Sequence, residues 1–244
     1  MLNYLNAELF RTKKSLEYKI MMGLGIGAIL FGFIIQAFYS DNPTRDDWFF
    51  NMSTIMQSST IFISILITGA SLKKDHEERG LIQKGIKRAF VVIGDIINTF
   101  IASAVIAAIL FMATYLVGLY FKTPNTGYEF NALWFLEQVI YVVITVSVIN
   151  CGVYMLYTLT GSNGSAYSLA FVGYWLLPAI CSNFLEFDNL FGKICRTLFN
   201  LAPMTHQGQA MDRIYDWKWI IVTLILNLVI FNAISIIVKQ RKRY

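Results

Sequence analysis

Two histidines, three cysteines and 15 carboxylates are the residues of this 244-residue chain with the most chemical reach, and their spacing gives them little to do together. No Cys or His cluster has the spacing of a zinc site, and His76 and His206 stand in segments that fall on opposite sides of the apolar runs described below. The phosphate-cradling pattern G-x-x-x-x-G-K-[ST] is absent, so the chain is not expected to bind a nucleotide cofactor or hydrolyse ATP itself. Gly23, Gly25 and Gly27 lie inside an apolar run with no strand before them, where with Ala28 and Gly32 they suit close helix approach. One polar set does carry a pattern. Ser53, Gln57, Thr60, Ser64, Thr68 and Ser71 recur every three or four residues and so share one helical face. That face suits either a route for an amphipathic or partly polar substrate, or hydroxyls and an amide packed against another helix and bonded to their own backbone. Thr223 and Asn227 form a smaller pair of the packing kind. Asp95 and Glu137 flank apolar runs; a carboxylate held within hydrocarbon marks function, but both stand near enough to a run's end to reach the interface.

The elements that must hold these residues follow from the placement of charge. The chain is 56% hydrophobic and 14% charged, with mean hydropathy +0.55, whereas a soluble domain is about 25% charged. Stretches free of Asp, Glu, Lys and Arg cover 20–39, 49–72, 96–121, 138–185 and 219–238, and about 20 such residues span roughly 30 Å of hydrocarbon as a helix. The fourth stretch is too long for one crossing and is broken at 160–165 (TGSNGS), a run of glycines and small polar residues suited to a tight turn. The reading is therefore an all-α integral membrane protein with six transmembrane helices, forming a single domain over residues 1–244.

With the N-terminus inside, 14 of the 20 basic residues lie on the inner side, so the net charge of +5 is an orientation signal rather than a sign of nucleic-acid binding. The first apolar run is too long for a secretory signal, and no small-x-small cleavage site closes it. Residues 2–15 place Leu2, Leu5 and Leu9 on one face, as an N-terminal interfacial helix would. Between the fifth and sixth crossings, Leu190, Phe191, Ile194 and Leu198 have partial helical spacing and Pro203 interrupts. Short helices against the outer surface, capping a central route, are expected there, and Pro178 would bend the fifth crossing toward them. Cys181 and Cys195 both approach the outer side, leaving either free thiols or a bridge, while Cys151 sits mid-membrane.

Three segments together resemble an ABC-2 type transporter permease, the membrane half of an ATP-binding cassette transporter: 3–14 (NYLNAELFRTKK), 75–88 (DHEERGLIQKGIKR) and 201–204 (LAPM). The family's acidic residue followed by glycine matches Glu77 and Gly80, and its later Gly-x-Ser-Arg element matches Gly85 and Arg88, with Lys87 at the Ser position. Asp95 stands where that family often has Lys. The resemblance extends over nearly the whole chain and implies a cytoplasmic coupling helix between the second and third crossings, contacting an ATPase through Glu77, Glu78, Arg79, Gly80, Leu81, Ile82, Lys84 and Arg88. It implies two cytoplasmic ABC ATPase subunits that hold the ATP and Mg, a second copy or related permease, and a bacterial cell membrane with its lipids as neighbours. Small permeases of this form resemble exporters of lantibiotics, bacteriocins and other amphipathic peptides, including immunity systems. A secondary transporter or channel, and a nontransport scaffold, remain the alternative classes.

Six crossings and the basic bias put both ends in the cytoplasm. Single cysteines introduced at residues 5 and 240 should resist a membrane-impermeant maleimide in intact cells and react after permeabilisation; labelling of either from outside would overturn the six-crossing map.

Overall fold

A computed structural model describes residues 2–39, 44–71, 80–83, 85–122, 131–211 and 214–241. Beside a short helical segment at 80–83, nine helices organise the described residues: α1 (Leu2–Lys14), α2 (Leu16–Tyr39), α3 (Arg45–Ser71), α4 (Arg88–Gly118), α5 (Ala132–Thr160), α6 (Asn163–Phe184), α7 (Leu190–Leu201), α8 (Pro203–Met211) and α9 (Trp217–Arg241). Six of them, α2 to α6 and α9, are long and apolar enough to cross a membrane, as the charge pattern predicts. Among the described residues the only β pairing is an isolated bridge between Thr44 and Lys122. The perimeter of the bundle exposes Leu24, Phe31, Phe62, Phe100, Leu116 and Val229, a surface made for lipid.

Local sequence sets each boundary. Thr44 and Asp47 cap α3 reciprocally, backbone N–H to side-chain oxygen at 3.1 and 3.2 Å. Asn131 caps α5 by accepting from the Trp134 N–H at 2.9 Å, the kind of contact that contributes about 1 kcal/mol. The turn expected at 160–165 is present: Gly161 ends α5 in the left-handed region (φ 70°), and Ser162 accepts from the Ser165 N–H to start α6.

The core is organised around α5, which has 67% of its spanning window buried, against 33% or less in every other crossing. It contacts α3, α4, α6, α8 and α9, so it needs no polar face and has none. Toward its first residue, Trp48, Phe49, Met52, Phe121, Trp134 and Phe135 form an aromatic cluster in which Phe49 stacks on Phe135 at 5.1 Å and Trp48 Nε1 donates to the Thr114 carbonyl at 2.8 Å. This end, which also carries α7 and α8, is called the cap end below, and the end holding residues 2 and 241 is the basic end.

Two crossings widen into π-helix, at Val172–Leu176 in α6 and at Ile225–Phe231 in α9. Pro178 has no N–H and crowds the carbonyl four residues earlier, so the widening in α6 directly precedes it. The two wide turns face each other: the Tyr174 hydroxyl donates to Asn227 Oδ1 at 2.6 Å, and Asn227 Nδ2 donates to the Thr223 carbonyl at 2.8 Å. Gly152 of α5 makes room for Tyr174, since a Cβ there would collide with the Tyr174 hydroxyl.

The glycine-rich start of α2 is only half as expected. Gly25 faces Leu110 and Gly32 faces Met52 and Trp48, but a Cβ at Gly23 or Gly27 would meet nothing, because those two positions turn outward. Alanine in a helix interior normally gains about 1 kcal/mol over glycine. Gly27→Ala should therefore hold or raise the unfolding temperature in detergent, whereas Gly152→Ala should lower it by overpacking, a cost of about 1–3 kcal/mol. Equal behaviour of the two variants would contradict this packing.

Candidate functional site

The polar stripe of α3 is turned into the bundle. Ser53, Thr60, Ser64 and Thr68 are fully buried and Gln57 is half-buried. Thr60, Ser64 and Thr68 each donate to the carbonyl four residues earlier, at 3.1, 2.8 and 2.8 Å, the local habit of hydroxyls in apolar helices. Three members also reach other elements. Gln57 Nε2 donates to Gln138 Oε1 of α5 at 3.2 Å, Thr60 accepts from Gln207 Nε2 of α8 at 3.1 Å, and Thr68 Oγ1 lies 2.7 Å from Asn150 Oδ1 of α5. This face is therefore covered by α5 and α8.

Two short helices, α7 and α8, stand between the fifth and sixth crossings, as expected. α7 does carry an exposed apolar face of Leu190, Phe191 and Ile194, as a surface helix would. α8 instead inserts between α3 and α5, where Gln207 reaches Thr60 and Gln138 Nε2 donates to the Ala210 carbonyl at 3.3 Å. Thr60 and Gln138 lie about 22 Å and about 9 Å along their helices from the first residues, at roughly 1.5 Å per residue, so α8 packs inward against α3 and α5. His206, Gln207 and Ala210 are buried for this reason. His206 Nε2 lies 2.9 Å from the Asn200 carbonyl, and burial holds this ring below the usual imidazole range against the opposing influence of Gln209, that carbonyl and Asp216.

At the basic end a second buried polar centre joins three crossings. Asp95 of α4, Tyr154 of α5 and Lys239 of α9 are 1%, 2% and 5% exposed. The Tyr154 hydroxyl donates to Asp95 Oδ2 at 3.0 Å and accepts from Lys239 Nζ at 2.8 Å, so the phenol stands between the two charges. Asp95 does not reach water at the interface, as its position in the sequence suggests; it lies two turns inside α4, and a hydroxyl and a cation make burial tolerable. Nearby, Asn98 Nδ2 donates to Thr12 at 2.7 Å and pins α1 to α4.

Of the expected coupling residues, Glu77, Glu78, Arg79 and Lys84 lie outside the described residues. Gly80, Leu81 and Ile82 are half-buried and helical. The helix stops in a paired motif: the Gly85 N–H donates to the Ile82 carbonyl at 2.9 Å and the Ile86 N–H to the Leu81 carbonyl at 3.2 Å, with Gly85 at φ 85°, where glycine is favoured. Arg88, the first residue of α4, is half-buried. Its Nη1 donates to the Lys239 and Gln240 carbonyls at 2.8 and 3.1 Å, which caps the last turn of α9 with a cation.

Sequence reasoning missed Gln138, Asn150, Tyr154, Tyr174, Gln207 and the burial of Lys239. The available signal was the presence of Gln138 and Asn150 in an otherwise apolar run, since amides in hydrocarbon require protein partners. Cys181 and Cys195 are free and buried. Compared with known proteins, the chain matches no family model and no curated sequence.

Removing one member of the basic-end centre takes compensation from the other buried charge, and breaking a buried pair costs about 3–5 kcal/mol. Lys239→Met should therefore destabilise the detergent-solubilised chain strongly, and Asp95→Asn in the same molecule should restore much of the loss. Additive losses in the double variant, read from thermal unfolding, would show that the two charges are not coupled.

Proposed function

We propose that this multi-pass membrane protein is the permease subunit of an ATP-driven exporter of amphipathic peptides, or of a related immunity system. In this reading the basic end faces the cytoplasm of a bacterial cell, two ABC ATPase subunits dock there, and a second copy or related permease completes the transporter. The observation that carries it is the fastening of the turn at 80–88 to the transmembrane bundle. Arg88 holds the end of α9, Lys239 of that same end holds Tyr154, and Tyr154 holds Asp95, so a push on the turn reaches α4, α5 and α9 together. At the opposite end α8 plugs the polar face of α3, the arrangement expected of an exporter closed to the outside. Half-buried Leu81 and Ile82 give a protein partner an apolar contact beside the charged flanks.

A second reading has one observation in its favour. Asp95 and Lys239 are ionisable groups buried within a membrane bundle, as the coupling site of a proton-driven secondary transporter would be. The two separate in proteoliposomes: an ATP-driven exporter stops when the ATPase partner is omitted and continues in a proton ionophore, and a proton-driven carrier does the reverse.

Leu81→Ala/Ile82→Ala should reduce ATPase co-purification and ATP-dependent peptide transport while all six crossings still insert. Normal pull-down, ATPase stimulation and transport in that variant would remove the turn from the coupling role.

A further inference from the structure

The turn between α6 and α7 is drawn tight along its length. Arg196 of α7 reaches back with Nε to the Leu185 carbonyl at 2.6 Å and with Nη2 to the Phe187 carbonyl at 2.9 Å, and the Phe184 and Phe191 rings meet at 5.2 Å. A Cβ at Gly192 would collide with the Phe187 carbonyl, so α7 approaches the turn as closely as a backbone can. The last turn of α6 therefore lies against α7.

Each side of this contact carries a narrow buried seam. From Val172 to the end of α6 the buried residues are Pro178 and Cys181, and in α7 they are Gly192 and Cys195. Both sets are spaced by three, so each marks one helical face. Ile180 and Ile194, the residues just before the two cysteines, are 48% and 49% exposed, so the burial belongs to that face and not to the whole segment. Each cysteine is covered by the opposing helix, and the two free side chains interact thiol to thiol.

We propose that Cys181 and Cys195 are a disulfide site, at which oxidation staples α7 to the end of the fifth crossing. Only Ala202 separates α7 from α8, so the staple also fixes the point from which α8 enters the bundle. The oxidant is a second disulfide. The thiolate of one cysteine attacks it and releases one thiol, and the other cysteine then displaces the second. Two S–H bonds and one S–S bond break, one S–S bond forms within the chain, and two electrons and two protons leave on the released thiols. Each cysteine is 3% exposed, so a bulky oxidant meets the pair while the segment folds, and a small uncharged one also when α7 parts briefly from α6. Pairing needs only the geometry of the chain. Its persistence in the cell rests on the orientation proposed above, in which this end faces the outside, where disulfides survive.

The purified chain in detergent is treated with dithiodipyridine, a small uncharged disulfide whose released thiopyridone is coloured. Reaction is stopped with acid, and chymotryptic peptides, which separate Cys151 from Cys181 at Tyr154 and Tyr157, are read by mass spectrometry. Two thiopyridones should be released per chain, with a peptide linked between Cys181 and Cys195, no pyridyl group on either, and Cys151 alkylated only after denaturation. Cys181→Ser should leave a pyridyl group trapped on Cys195, and Cys195→Ser one on Cys181. The same peptides from cells alkylated at lysis test orientation separately. The linked peptide there supports an outward cap end, whereas a pair that is reduced in cells but closes in the purified chain upholds the site and counts against that orientation. Stable pyridyl groups on both cysteines of the unaltered chain, linkage to Cys151 or between chains, or thiols left free by both dithiodipyridine and copper phenanthroline would overturn the proposal.

Discussion

A polar group inside a bilayer has no water to fall back on, so whatever it bonds to becomes its fixed neighbour. In this chain the central helix α5 uses that constraint at three depths. Gln138 binds Gln57 and the backbone of Ala210, Asn150 lies against Thr68, and Tyr154 joins Asp95 to Lys239. Lipid tails are as apolar as leucine, so apolar contact alone discriminates poorly among helix registers in a membrane. Three polar contacts at different heights do discriminate: sliding α3, α4 or α9 along α5 by one turn would strand their partners.

Shape enforces the same register. Gly152 lies two residues from Tyr154 on α5, and its missing side chain admits Tyr174 toward Asn227. The wide turns of α6 and α9 meet at that bond, so the only two π segments among the described residues are held by one tyrosine and one asparagine. Wide turns free backbone carbonyls and persist where side chains stabilise them. The junction is thus a place where two crossings bend about a shared polar pin.

Much of this was legible in the sequence, and the boundary of legibility is physical. The number of crossings followed from intervals without charge, and the turn at 160–165 from its run of glycines and small polar residues, both one-dimensional properties. The depth of α8 was not legible. His206, Gln207 and Gln209 look like groups meant for water, and only the positions of Thr60 and Gln138 on other helices reveal that water has been replaced. Lys239 was legible as a basic residue at the end of a crossing, the ordinary signature of orientation, but its burial depends on Tyr154, which is distant in sequence. Periodicity correctly put Ser53, Gln57, Thr60, Ser64 and Thr68 on one face; it carried no information on whether that face meets a substrate, a helix or a plug.

The two ends of α5 are closed by bonds of different kinds, and this difference has a mechanical consequence. At the cap end the contacts are neutral amide and hydroxyl bonds, which in membrane bundles contribute about 0.6 kcal/mol each on average. At the basic end two charges share one phenol, and charge-assisted bonds of this kind are roughly twice as strong as neutral ones. The bonds that hold α8 to α3 and α5 are therefore weaker than those that join α4 to α9 through α5. The cost of opening the cap is further reduced because Gln57, Thr60 and Gln138 would be uncovered together, and a polar cargo entering the gap could replace each bond as it breaks. The charged end, by contrast, is bonded through the α9 backbone to Arg88 at the start of α4. A rigid basic end and a separable plug are what a bundle needs if motion generated at one face is to open the other.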